Sequence, residues 1–231
     1  MTHVSVVQHT QSEWLGHIED HLEGRGIRFG YHRPFAAGGV LPNPMTVGDG
    51  LILVGGGQWG AVPGRWQLPW LEAEVKLARA CLMMDKPVIG IGVGAQVLSI
   101  AADGGVEPGA LMSEVANAHR TRADALGGLM PERFVIATYM RDRPVPPGYA
   151  DVLARDDAGR AAVFTVGPRS FGFIAHPGLR RAMIEDLVME SEDVPADTGK
   201  VLDDIGQQGG AIEDALVPLM AGLVAATGWM T

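Results

Sequence analysis

The run Pro87-Val88-Ile89-Gly90-Ile91-Gly92-Val93-Gly94-Ala95-Gln96 constrains this chain more than any other. Its apolar start reads as a strand buried on both faces, its glycines as a tight turn, and its end as the opening of a helix. In α/β proteins such a turn is where a nucleophile is held above the edge of the sheet. Its apex here is Gly92, which has no side chain. The sequence therefore presents a turn built for a nucleophile and no nucleophile on it.

The rest of the chain fits the same architecture. At 231 residues it is long enough for one sizeable α/β domain over 1–231, and no linker or internal repeat divides it. Its 32 glycines cluster at strand-to-helix turns, the pattern of a layered fold with tight connections. The formal charge of −9 excludes the basic face that nucleic-acid binding requires. Cys81 is the one cysteine, so no internal disulfide forms. The segment from Met1 to Val7 lacks the basic-then-apolar layout of a signal peptide, and no apolar run of about 18 residues suggests a membrane span. The expectation is a cytoplasmic protein with no membrane association.

Along the chain, Val4 to Val7 reads as a first strand. Ser12 reads as the N-cap of a helix whose inner face is Trp14, Leu15, Ile18 and Leu22. Ile27 to Tyr31 and Gly50 to Val54 read as the second and third strands, with a proline- and glycine-rich loop between them. Pro69 opens a helix running to Met84, and strand 87–91 leads through the turn into a helix over 93–102. Strands follow at Phe134 to Tyr139, Asp151 to Arg155, Ala161 to Val166 and Phe171 to Ala175. Two helices close the chain, the second broken by glycines between Gly206 and Gly210.

Several motifs occur in an order that resembles the class I glutamine amidotransferases, in particular the glutaminase domain of GMP synthase. Gly90-Ile91-Gly92-Val93-Gly94-Ala95-Gln96 matches the family's G-x-C-x-G-x-Q elbow except at the cysteine. Gly55-Gly56-Gly57-Gln58-Trp59-Gly60-Ala61-Val62 and Leu68-Pro69-Trp70-Leu71-Glu72-Ala73-Glu74 resemble its G-G-P-M-x-V and P-W-L-x-x-E segments. Gly172-Phe173-Ile174-Ala175-His176-Pro177-Gly178 resembles G-x-Q-F-H-P-E. The resemblance implies a flavodoxin-like α/β fold: a mostly parallel sheet with helices on both faces, the site lying at the carboxyl ends of the strands. It also implies a cysteine–histidine–glutamate triad, which falls on Gly92, His176 and Gly178. Two of these three have no functional group, so the resemblance is to a fold whose covalent chemistry has been lost.

By the same resemblance, Gly56, Gly57 and the amide of Val93 are oxyanion donors, and Gln96 is a ligand contact. Ligand-binding candidates are therefore Gly56, Gly57, Gly92, Val93, Gln96 and His176, with Gln58, Trp59 and Trp66 at the pocket rim. Cys81 reads as a small buried hydrophobe. Asp142, Arg141 and Arg143 read either as the pocket mouth or as a solvated turn. His17 and His21 stand i, i+4 without a third ligand nearby, so no metal and no cofactor is expected. The leading expectation is a catalytically silent amidotransferase-like protein, serving a partner synthase or transferase as a subunit or binding a small amide or amino acid. The alternatives are an enzyme using His176 and a bound water, and an interaction protein with a vestigial pocket. The oligomeric state is left open.

Overall fold

The structure, a computed structural model, describes residues 1–230. Five strands form the parallel half of a nine-stranded sheet: β1 (His3–Gln8), β2 (Arg28–His32), β3 (Gly50–Val54), β4 (Val88–Ile91) and β11 (Ser170–Phe173), in the order β2-β1-β3-β4-β11. Four more continue it antiparallel: β10 (Ala161–Val166), β9 (Asp151–Asp156), β6 (Met112–Arg120) and β7 (Arg133–Met140). Short strands β5 (Gly105–Glu107) and β8 (Arg143–Val145) pair apart from it. The sheet is thus mixed, and its parallel part holds the strand ends where the sequence places the site.

β3 and β4 are buried along their whole length, as expected of apolar runs covered on both faces. On one side lie α2 (Leu71–Met83) and α3 (Val93–Ala101); α1 (His17–Glu23), α4 (Arg181–Glu190) and α5 (Thr198–Thr227) contribute to the other cores. α3 packs almost directly on the sheet. A Cβ on Gly94 would collide with the Leu53 carbonyl, and one on Gly90 with the backbone of Gly94. Glycine at both positions lets helix and strand touch backbone to backbone.

Four expectations need correction. The first helix begins at His17 with Gly16 as its cap at φ 60°, so Ser12, Trp14 and Leu15 lie in a loop before it. α5 is one uninterrupted helix through Gly206, Gly209 and Gly210, ending at Gly228 in the left-handed conformation. Packing of Val201, Ile205, Ile212 and Leu216 outweighs the glycines' weak helix propensity. β6 was not anticipated, and neither was the β5–β8 pair. By length and composition α5 could cross a membrane, yet Leu216, Leu219, Met220 and Leu223 are buried in the core beside β6 and β7.

Candidate functional site

Position 92 keeps the elbow's shape. Gly92 caps α3 at φ 59° and ψ −119°, conformational space that residues with a Cβ occupy only under strain, and its N–H donates to the Phe173 carbonyl at 2.9 Å. A Cβ built there would meet only the Gly55 Cα, at 3.4 Å. A small side chain therefore fits in space but not in backbone energy.

The glycine loop after β3 faces this turn, and Val93 packs against Gly56 so closely that a Cβ on Gly56 would strike it. The N–H groups of Gly56 and Gly57 converge, as an oxyanion site requires. They converge on a side chain of the chain itself. Oε2 of Glu13 accepts from Gly56 at 2.8 Å and from Gly57 at 2.9 Å. Glu13 is 2% exposed, and a Cβ on Gly55 would collide with its carboxyl group. Burial raises the Glu13 pKa from 4.5 to about 6, against the lowering by the two amides and by the charge of His9.

His9 lies beneath the loop. Its Nδ1 faces the carbonyls of Val54 and Gly55, and its Nε2 pairs with Glu74 Oε2 at 2.7 Å, with both side chains fully buried. Burial opposes the charge on this imidazole. The carboxylate of Glu74 and the two carbonyls outweigh it and raise the His9 pKa to about 9. A buried imidazolium–carboxylate pair thus anchors the glycine loop to α2.

His176 is buried and committed. Its Nε2 bonds the Trp14 carbonyl at 2.6 Å, and its Nδ1 accepts from the Gly178 N–H at 3.2 Å. This fixes the Nε2–H tautomer. Burial lowers its pKa to about 4, so the ring is neutral and neither nitrogen is free. At Gly178 a Cβ would stand 2.6 Å from the Leu15 carbonyl oxygen and 2.7 Å from Ile18 Cγ1. The entry to α1 fills the space a carboxylate there would need, and the His17 N–H donates to the Gly178 carbonyl at 2.9 Å.

Gln96, fully buried, braces two loops: its Oε1 accepts from Ala61 N–H at 2.9 Å and its Nε2 donates to the Arg141 carbonyl at 2.5 Å. Arg141 donates to the Gln58 carbonyl, at 2.9 Å, and pairs with Asp193. Asp142, also buried, accepts from Val62 and Gly109 N–H groups, so this stretch is a loop brace rather than a solvated turn. Gln58 Oε1 accepts from the N–H groups of Glu192 and Asp193. Trp59 and Trp66 lie 6.2 Å apart, half-buried, with the Arg65 and Arg141 guanidinium groups over Trp66. The segment after α4 is therefore strapped across the rim. Among the described residues no cluster of three metal-ligating side chains occurs; His17 faces Asp20 and Glu213, and His21 faces Arg25. Cys81 is buried on α2, with its thiol pKa pushed up to about 11 by burial.

Sequence reasoning placed Gly56, Gly57 and Gly92 together and missed Glu13, His9 and Glu74 as members of the same site. Glu74 lies in the quoted P-W-L-x-x-E segment, which was a signal; Glu13 and His9 have none, because their partners lie 43 to 65 residues away.

No protein-family model matches the chain, and no curated protein matches it by sequence. Solved structures do match by fold. A glutamine amidotransferase from Methylobacillus flagellatus superposes with TM-score 0.82 at 22% identity, over 98% of this chain and 95% of that one. One from Thermotoga maritima gives 0.76 at 18%, over 98% of each. A protein described as a GMP synthase subunit, from Thermoplasma acidophilum, gives 0.55 at 14%, over 91% of this chain and 98% of that one. The backbone likeness spans nearly the whole chain, and with the elbow, the glycine loop and the strand order it gives this protein the class I glutamine amidotransferase-like fold.

Proposed function

We propose that this protein is a catalytically silent amidotransferase-like subunit that acts beside a partner enzyme. One observation carries the reading: the amide pair of Gly56 and Gly57, where such chemistry needs empty donors, is filled by the chain's own Glu13. Three further features agree with it. Position 92 has no nucleophilic atom, His176 has no free ring nitrogen, and position 178 has no room for an orienting carboxylate. The alternative that uses His176 as a base on bound water loses its support for the same reason. A partner role draws on the structural likeness to a protein described as a GMP synthase subunit. Ammonia release from glutamine tests the reading. Rates at the uncatalysed background agree with it, and activity comparable to an intact amidotransferase overturns it. Stoichiometric co-purification with a synthase or transferase from the native host supports the partner role, and recovery of the protein alone counts against it.

A further inference from the structure

We infer that the amide pair of Gly56 and Gly57 is a carboxylate-binding site which the chain keeps filled with its own Glu13. This deepens the functional reading and rests on it in one respect: the site binds without turning its ligand over.

The amides meet one oxygen of Glu13 at 2.8 and 2.9 Å, the geometry of charge-assisted bonds to a carboxylate. A free carboxylate of similar size can present the same oxygen to the same donors. Glu13 differs only in being tethered, and its tether is the loop before α1, which is neither helix nor strand.

That loop is mostly buried and firmly held: His9 pairs with Glu74, the Gln8 amide donates to the Thr10 and Gln11 carbonyls, the Leu15 N–H donates to Tyr31, and the Trp14 carbonyl accepts from His176. The loop's N–H groups at Gln11 and Ser12 and the Ser12 hydroxyl all bond the carboxylate of Glu190 at the end of α4, and the Thr10 hydroxyl accepts from the Glu13 N–H at 3.1 Å. Glu190 thus braces the loop just before Glu13, and the segment following it, over 191–193, is pinned by Gln58 and Arg141.

A second polar group lies near Glu13. Tyr139 is 4% exposed, yet its hydroxyl has no hydrogen-bond partner among the described residues; it stands beside Ser191 without reaching bonding geometry, within the electrostatic reach of Glu13, Asp193 and Arg141. A buried hydroxyl left unpaired is costly, and a ligand's second polar atom would satisfy it. The charged groups around Glu13 are His9 from the end of β1 and Glu190 from α4, with opposite effects on its ionisation. The ligand class that fits is a small aliphatic carboxylate.

Acetate is the probe, because it matches the methylene-carboxylate fragment that Glu13→Ala removes. Thermal unfolding of Glu13→Ala is followed with rising sodium acetate, with sodium chloride at equal ionic strength as the control. The midpoint of the variant is expected to rise saturably, by roughly 3–6 °C at about ten times the Kd, while the wild type does not respond. Equal responses in both proteins, or none in the variant, overturn the inference. Should Glu13→Ala fail to fold, Glu190→Gln serves instead. Amide exchange at Gly56 and Gly57 should then accelerate relative to wild type and slow again with acetate. Unchanged exchange overturns the inference as well. Glutamine turnover is a separate readout, so a positive ammonia assay would sink the functional reading and leave the binding result standing.

Discussion

Replacing Glu13 with glutamine should stabilise the protein at neutral pH and not in acid. Glutamine keeps the shape, and its carbonyl oxygen can take both amides, but it carries no charge into the buried site. The carboxyl of Glu13 is raised from 4.5 to about 6, burial prevailing over the amides of Gly57 and Gly56 and over His9. A raised acid pKa means the fold favours the protonated form. The stability this group contributes is fully present below about pH 4.5 and is lost as pH rises through 6. The difference between the two pKa values corresponds to about 2 kcal/mol. For a chain of this size that is about 4–8 °C in unfolding midpoint. Thermal or urea unfolding of wild type and Glu13→Gln, measured in steps across this range, gives the comparison directly. Any constant offset from the amide cancels, and only the pH-dependent gap matters. A gap that stays flat, or that turns against glutamine as pH rises, refutes the account of Glu13 as a charge held at a cost.

Other outcomes follow from the same geometry. Gly92→Cys should fold with a loss of about 1–3 kcal/mol from the left-handed backbone and should release no ammonia, as read by urea unfolding and a glutaminase assay. Gly178→Glu should lose about 3 kcal/mol or more, because its Cβ meets the Leu15 carbonyl and Ile18; near-wild-type stability would contradict the packing described at α1. Glu74→Gln should cost about 3–5 kcal/mol by leaving the His9 charge unpaired, and denaturant titration reads it. With its pKa raised to about 9, His9 contributes stability that is present below 6.5 and lost as pH climbs through 9. His176 should show no imidazole titration by NMR between about pH 5 and 8, since its neutral form is stable above the unfolded value of 6.5 and yields only as pH falls toward about 4.

Much of the fold was legible because its signals are local. β3 and β10 match the expected spans residue for residue, and the elbow gives β4 and α3 to within one residue. What was not legible depends on distant partners. Ser12, Trp14, Leu15, Ile18 and Leu22 carry helical spacing, but Gly16 at φ 60° breaks the helix and Glu190 holds the first part as a loop. β6 escaped notice because its residues are half-buried and mixed, with Glu114, Asn117 and His119 interrupting any alternation; pairing to β7 and β9 makes it a strand. In the site, Gly92, Gly56 and Gly57 were visible through the resemblance, since turns announce themselves in sequence. Glu13 falls within the span expected for the first helix without a role of its own, and nothing near it in sequence shows that its carboxyl ends on amides 43 and 44 residues away.

The positions that differ from the amidotransferase pattern do not all differ in the same sense. Glycine at 92 relieves a strained turn, glycine at 178 yields space to the entry of α1, and a neutral His176 bonded to two backbone groups is a stable buried side chain. Each of these favours the folded state, so each is what a site freed from chemistry would settle into. Glu13 goes the other way. Its charge is buried with no lysine or arginine among its hydrogen-bond partners, it is stabilised only by two amides and the field of His9, and its ionisation works against folding at neutral pH. A glutamine in its place would serve the fold better. A carboxylate held there at a cost in stability is what the proposed carboxylate site predicts.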